Sequence, residues 1–381
     1  MNHSYYNETI ESLRHSGNLR RIPADMPADD GSIDLSSNDY LGLGVRTELQ
    51  EQFMAERDNR MSPMTSSASR LLATRQNDYG DLETFLGRLY DRPALLFNSG
   101  YHANTGMISS LAAGKSIIVA DKLVHASIID GIVLSKSEFT RFPHNDFDRL
   151  ERILAKESPL HERVIVAVES VYSMDGDRAD INRLTELKRH YPNVLLYVDE
   201  AHGVGVEGPH GLGLSIASSG YGDIDVIVGT FGKAYASSGA FCVTSPSIRE
   251  YLVNRARSFI FSTAIPPITA RWTKFMIEQS LGMDAERTRL AALGNRLHEI
   301  LSVLPGKNGV ASHIQPYITG SAESAVTLSE KLLKEGFKVL PIRTPTVPPG
   351  TDRLRISLSA ALTADDIESL GNALTRLTSC S

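Results

Sequence analysis

Six short runs of continuous apolar residues constrain the fold of this 381-residue chain more than any other feature: Ala94 to Phe97, Ile117 to Ala120, Val164 to Val168, Val194 to Val198, Val226 to Val228 and Ala240 to Val243. A strand with one face in water alternates apolar and polar residues, whereas a strand apolar at every position needs cover on both faces. Segments of helical period between many of the runs supply that cover. The pattern therefore predicts an α/β architecture, a large doubly wound, mostly parallel sheet domain over residues 51–267. After Pro266-Pro267 the pattern changes to an amphipathic helical run near 268 to 304, a strand at Ile314 to Ile318 and a helix from Glu323 to Glu335 stopped by Gly336. A strand at Leu354 to Leu358 and a last helix capped by Thr363, carrying Ile367, Leu370, Leu374 and Leu377, complete a smaller C-terminal α+β domain, residues 268–381. Residues 1–50 read as an N-terminal arm that packs with that smaller domain; its short helix, Tyr5 to Arg14, sets Tyr6, Ile10 and Leu13 on one face before a stop at Gly17.

Composition narrows the function. A net charge of -6 with no Lys/Arg cluster excludes a nucleic-acid surface or an anionic membrane as partner, so local cations serve small anions. The first residues lack the apolar core of a signal peptide and no run approaches a membrane span, which predicts a cytoplasmic protein. Cys242 in an apolar run and Cys380 at the end form no disulfide framework and too few ligands for a structural metal.

In an open α/β sheet, ligands bind beyond the carboxyl ends of the strands, so the residues there are read most closely. After the first run comes Asn98-Ser99-Gly100-Tyr101 and a helical segment whose opening N–H groups, with Gly100 permitting close approach, form a phosphate cradle or else a plain helix cap. After Val198 comes Asp199-Glu200-Ala201-His202, a carboxylate suited to a cationic ring nitrogen or, equally, to capping a turn. After the run ending at Val228 comes Thr230-Phe231-Gly232-Lys233, a lysine among small and apolar residues; desolvation there lowers an amine's pKa and favours a Schiff base. The fourth end, Glu169 to Asp177, is rich in hydroxyls and acids. A phosphate cradle, a carboxylate for a pyridinium and a confined lysine are together what pyridoxal phosphate requires.

Two other chemistries fail on spacing. Gly203, Gly205 and Gly208 match GxGxxG and would suggest an NAD-dependent oxidoreductase, but Pro209 and Gly211 break the helix that motif needs. Ala113 to Ser116 imitates the end of a nucleotide-binding P-loop, yet the first glycine of that motif falls on Ser109 and a strand begins where a helix should.

With SSNDYLGL (36–43), SGYHAN (99–104), HASI (125–128), SMDGD, DEAHGVG, TFGKA and RTPTVPPGTDRLR (343–355) in order, the chain resembles the α-oxoamine synthases, fold-type I pyridoxal phosphate transferases, over nearly its whole length. The resemblance implies a homodimeric acyltransferase that condenses an amino acid with an acyl thioester, on coenzyme A or an acyl carrier protein, with loss of carbon dioxide. Within the family, PTVPPGT and ISLSA favour the biotin-pathway branch joining L-alanine to a pimeloyl thioester over glycine C-acetyltransferase and 5-aminolevulinate synthase. It further implies that Lys233 holds the cofactor and moves the α-proton, Asp199 pairs with the ring nitrogen, His202 bonds the phenolic oxygen and His125 stacks on the ring. Gly100 and Tyr101 contact cofactor through the backbone, Ser173 and Thr230 add hydroxyls, and Thr263 reaches the phosphate of the partner subunit. Arg355 binds the amino-acid carboxylate with Asn38 nearby, and Arg20 and Thr346 contact substrate. The chain departs from the family at Thr65-Ser66-Ser67, where relatives usually carry glycines, and at Tyr79, where they usually carry histidine. Both lie in a region that in the family approaches the acyl-thioester channel and the dimer interface.

Overall fold

The computed structural model describes residues 3–20, 22, 31–74, 76–305 and 309–379, which leaves Cys380 outside the described residues. The chain forms two compact units, one of Asp39–Ser173 with Arg178–Arg287, the other of Met1–Asn38, Met174–Asp177 and Thr288–Ser381.

The larger unit is built on seven strands: β1 (Ala94–Phe97), β2 (Ser116–Asp121), β3 (Glu138–Phe142), β4 (Arg163–Glu169), β5 (Val194–Asp199), β6 (Val226–Thr230) and β7 (Ala240–Thr244). Their order is β1-β7-β6-β5-β4-β2-β3. Strands β3, β2, β4, β5 and β6 pair in parallel, and β7 runs antiparallel to both β6 and β1. Every apolar run is a strand, and successive residues feed opposite faces. Leu96, Val119, Val166, Val168 and Leu196 pack on one side with Leu82, Leu86, Leu150, Leu154 and Leu184 from helices. Leu95, Ile118, Ile165, Ala167, Tyr197 and Cys242 pack on the other with Met107, Ile108, Ile128 and Leu252. Each such side chain contributes roughly 1.5–3 kcal/mol when fully buried, which is why the run must be apolar throughout. Strand β3 is the exception: it lies at the sheet edge, and of Glu138 to Phe142 only Phe142 is buried.

The amphipathic run near 268 to 304 is two helices rather than one, Pro267–Leu281 and Asp284–Ser302. Gly282 ends the first, and Asp284 and Glu286 open the second, where the dipole of a helix start favours acids.

The smaller unit holds β8 (Ile314–Gly320), β9 (Leu340–Ile342) and β10 (Asp352–Ser357) in the antiparallel order β9-β10-β8. The helices Ala322–Lys334 and Ala364–Ser379 belong to it, and Leu332, Leu354, Ile356, Ile367, Leu370 and Leu374 are buried. Ile33–Asp34 pairs in parallel with Phe337–Lys338. Met174–Asp177 is fastened into this unit: Arg353 Nη1 donates to the Asp175 carboxylate at 2.5 Å, and Gly176, at φ +70°, lies where a Cβ would be 1.9 Å from the Ile314 carbonyl oxygen. The helix Ser4–His15 buries none of its residues, and Tyr5, Tyr6, Ile10 and Leu13 are exposed.

Candidate active site

Parallel register brings the chemistry together. Glu169 at the end of β4 lies opposite Asp199 at the end of β5, and Asp199 lies opposite Val228 of β6, two residues before Thr230. From Thr230 the chain makes a tight loop back to β7, closed by Phe231 N–H on the Gly239 carbonyl (2.9 Å), Ser237 N–H on the Phe231 carbonyl (2.9 Å) and Ala236 N–H on the Lys233 carbonyl (2.9 Å). Lys233 rides on this loop, half-buried, with Nζ 2.7 Å from His202 Nε2. His202 is buried, and its Nδ1 lies 2.6 Å from the Tyr40 hydroxyl.

Asp199 is 3% exposed. Its Oδ1 accepts from Ala201 N–H at 2.9 Å and its Oδ2 from the Asn104 amide at 2.6 Å. Asn104 in turn donates to Ser127 Oγ (2.9 Å) and accepts from the Tyr197 hydroxyl (2.6 Å), so the tyrosine fixes which way the amide points. Ser127 Oγ lies 2.7 Å from His125 Nδ1, which also caps the helix Ala126–Ser135 by accepting from Ser127 N–H at 3.2 Å. Asn104 thereby joins Asp199 to His125 through buried hydrogen bonds, where a missing partner is costly. His125 retains exposed surface and its imidazole is held below the ordinary histidine range by desolvation, reinforced by Lys233 and opposed by Asp199. Glu169 is pushed well above the ordinary carboxyl range by burial and then by Asp199, against the pull of Lys233 and of backbone N–H groups at His125 and Ser173. Its Oε1 is buried with no hydrogen-bond partner among the described residues.

Ser99 caps the helix Gly100–Leu111, its Oγ accepting from His102 N–H at 3.2 Å. A Cβ at Gly100 would lie 3.8 Å from Thr230 Cβ, so the open helix start and the buried Thr230 hydroxyl face the same space. Tyr101 is exposed, its hydroxyl bonded to Asp130, and Ser173 is half-buried beyond the end of β4. Thr263 is exposed and pairs as an isolated bridge with Ser69. Glu200, beside Asp199 in sequence, is a structural anchor: fully buried, it accepts from Ser170 Oγ (2.5 Å) and Ser215 N–H (2.6 Å). Within the smaller unit, Arg355 is buried with Nη2 donating to Asn38 Oδ1 at 3.0 Å, and the exposed Arg20 donates to Thr346 Oγ1 at 3.0 Å.

The donor set suits pyridoxal phosphate. A phosphate matches free helix N–H groups beside a hydroxyl, a protonated ring nitrogen matches the Asp199 carboxylate, and an aldehyde matches the Lys233 amine. Among the described residues no group of three or more His, Cys, Asp and Glu could hold a metal, and no helix is long and apolar enough to cross a membrane.

Tyr40, Asn104 and Tyr197 are part of this cluster although strand-end reasoning does not select them, and Glu169, from the fourth strand end, joins them. Asn104 and Tyr197 lie inside apolar elements, where a polar group must find a buried partner, and that is the signal they carry. The departures near the loop at Ser67 have local explanations. Ser67 holds the left-handed φ of +51°, its N–H accepted by Thr65 Oγ1 at 3.1 Å, a conformation glycine would adopt without strain. Tyr79 is a core residue whose hydroxyl donates to the Ile265 carbonyl at 2.7 Å beneath the Arg70 guanidinium.

Comparison with known proteins adds four findings. Residues 30–374 match the family model described as aminotransferase class I and II. An 8-amino-7-oxononanoate synthase from Chlorobaculum parvum is 44% identical over 353 residues, 91% of this chain and 90% of its own length. Among solved structures, a serine palmitoyltransferase from S. paucimobilis with bound PLP-myriocin aldimine is similar with a TM-score of 0.88 at 26% identity, covering 100% of this chain and 98% of its own. An 8-amino-7-oxononanoate synthase from Francisella tularensis gives 0.78 at 27% identity over 92% of this chain and 99% of its own.

Proposed function

The chain belongs to the class I and II aminotransferase family, as an α-oxoamine synthase that uses pyridoxal phosphate for acyl transfer, and we propose that it joins L-alanine to a pimeloyl thioester to give 8-amino-7-oxononanoate, a step of biotin formation. The observation that carries this choice of substrates is the 44% identity to the Chlorobaculum parvum synthase across nine-tenths of both chains, against 26% to the serine palmitoyltransferase.

When bound, the cofactor supplies an electron sink for the negative charge left at the substrate α-carbon. Lys233 would hold the cofactor through its amine and, once free, would take and return the α-proton on Nζ. Asp199, held by Asn104 and Ala201, would keep the ring nitrogen protonated. His202 would hold the phenolic oxygen and His125 the ring, while the helix start at Gly100 and Tyr101, with Ser173 and Thr230, would receive the phosphate. Arg355 supported by Asn38 takes the amino-acid carboxylate, and Arg20 with Thr346 takes the acyl substrate. In this reading the protein is a cytoplasmic homodimer, and Thr263 contributes to the partner's phosphate site.

The test is to offer alanine, glycine and serine in turn with pimeloyl, acetyl and palmitoyl thioesters, following carbon dioxide release and the mass of the product. Alanine with the pimeloyl thioester is the expected preferred pair. Preferred turnover of glycine with the acetyl thioester would reassign the chain to glycine C-acetyltransferase chemistry.

A further inference from the structure

Lys233, His202 and Tyr40 form a hydrogen-bonded chain through both nitrogens of one buried imidazole, 2.7 Å on the lysine side and 2.6 Å on the phenol side. Tyr40 is 0% exposed and its position is imposed by a rigid turn. Asp39 accepts from Leu43 N–H (2.9 Å) and Gly44 N–H (2.7 Å) through its carboxylate, and from Gly42 N–H (3.0 Å) through its carbonyl, with Gly42 at φ +67°. The sequence NDYLGLG is thus a device that places one phenol beside one histidine.

An imidazole with one proton donates from one nitrogen and accepts at the other. A lysine ammonium has donors only, so facing free Lys233 the Nε2 of His202 is the acceptor, Nδ1 carries the proton, and the Tyr40 oxygen receives it. Facing the phenolic oxygen of the cofactor, Nε2 must donate instead, and Nδ1 must accept. A hydroxyl can do both, by rotating its own proton toward or away from Nδ1. The imidazole stays neutral and the phenol intact in either arrangement; only the nitrogen that holds the proton changes.

We propose that Tyr40 is a positioning residue for cofactor binding: its hydroxyl allows His202 to exchange tautomers as Lys233 passes from protonated amine in the cofactor-free protein to cofactor carrier in the loaded one. The inference rests on the reading that Lys233 carries the cofactor. His125 and Glu169 each interact electrostatically with Lys233 and Asp199, while the partner of His202 Nδ1 in the chain is the Tyr40 hydroxyl.

Three measurements test it. Borohydride reduction of the loaded enzyme followed by peptide mass analysis settles the premise, since a label elsewhere than Lys233 removes the reading of the site and the inference with it, whereas a label on Lys233 leaves the next two measurements to test Tyr40 alone. Nitrogen-15 spectra of histidine-labelled wild-type protein, free and loaded with pyridoxal phosphate, are expected to show the His202 proton on Nδ1 in the first and on Nε2 in the second. The same tautomer in both states overturns the proposal, whether or not any variant folds. Finally, Tyr40→Phe weakens donation to the phenolic oxygen, leaving more negative charge to hold the Schiff-base proton, so the pH midpoint of the cofactor absorbance should rise by about half to one unit. In a His202→Asn background the same substitution should move the midpoint no further. A shift that persists there acts by another route and overturns the inference.

Discussion

Asn104 is a single amide that donates twice and accepts once, and all of its partners belong to the candidate site or its wall. Replacing it with leucine keeps the volume and removes every bond, leaving the Tyr197 hydroxyl, Ser127 Oγ and one Asp199 oxygen without this partner in the interior. Unpaired buried polar groups cost about 1–3 kcal/mol each, with relaxation recovering part of the sum, so Asn104→Leu should destabilise the protein by about 3 kcal/mol in urea unfolding. Asp199 loses the contact that orients Oδ2, and affinity for pyridoxal phosphate should fall at least about tenfold in equilibrium titration, an order of magnitude per 1.4 kcal/mol. Unchanged affinity would mean that Ala201 N–H alone holds the carboxylate. The contrast with Lys233 is instructive. A lysine on a loop after an apolar strand can be singled out from sequence, because its chemistry is unusual for its surroundings. Asn104 looks like any polar residue of a helix until register places it against Asp199.

At the scale of elements, the sequence is most legible where burial is most complete. The six apolar runs are all strands because a sheet covered on both faces favours apolar residues at successive positions and admits a polar one only with a buried partner. Strand β3 escapes such reading because an edge strand is exposed, and Glu138, Thr140 and Arg141 follow no apolar rule. The broken helix near Gly282 escapes it for the opposite reason: apolar period continues through a two-residue interruption. Glu169 and Asp199 share a ladder position only because β4 and β5 pair in parallel in one register, information that resides in the pairing and in neither strand. The helix Gly100–Leu111 carries the clearest local prediction. Ser99→Ala removes the side chain that accepts from His102 N–H and should cost about 1 kcal/mol of stability. A freer helix start also presents its N–H groups less well, so phosphate-containing cofactor should bind more weakly while pyridoxal without its phosphate is affected less. Equal loss for the two ligands, measured by competition, would locate the effect away from the helix start.

For the whole molecule, the residues proposed to hold the cofactor, Gly100, His125, Asp199, His202, Thr230 and Lys233, all lie within the larger unit, so on that proposal loading should stabilise that unit. The single tryptophan of the chain reports on it from within: Trp272 packs edge-on against Phe53 at 5.1 Å and donates from Nε1 to the Ala236 carbonyl, three residues beyond Lys233. A ligand that binds only the folded state stabilises it by about 2.7 kcal/mol at a hundredfold excess over its dissociation constant. At about 2–4 °C per kcal/mol for a domain of this size, that corresponds to a rise of roughly 5–10 °C in the transition followed by Trp272 fluorescence. Lys233→Ala retains Asp199, the helix start and Thr230, so it should still bind the cofactor, but as a dissociable ligand. Its transition should therefore climb with cofactor concentration over the whole accessible range. The wild type, if Lys233 holds its ligand covalently as proposed, should reach its plateau near one equivalent. If the two proteins gave the same concentration dependence, the stabilisation would come from the phosphate and ring contacts alone, and the bond to Lys233 would contribute to chemistry without contributing to the fold.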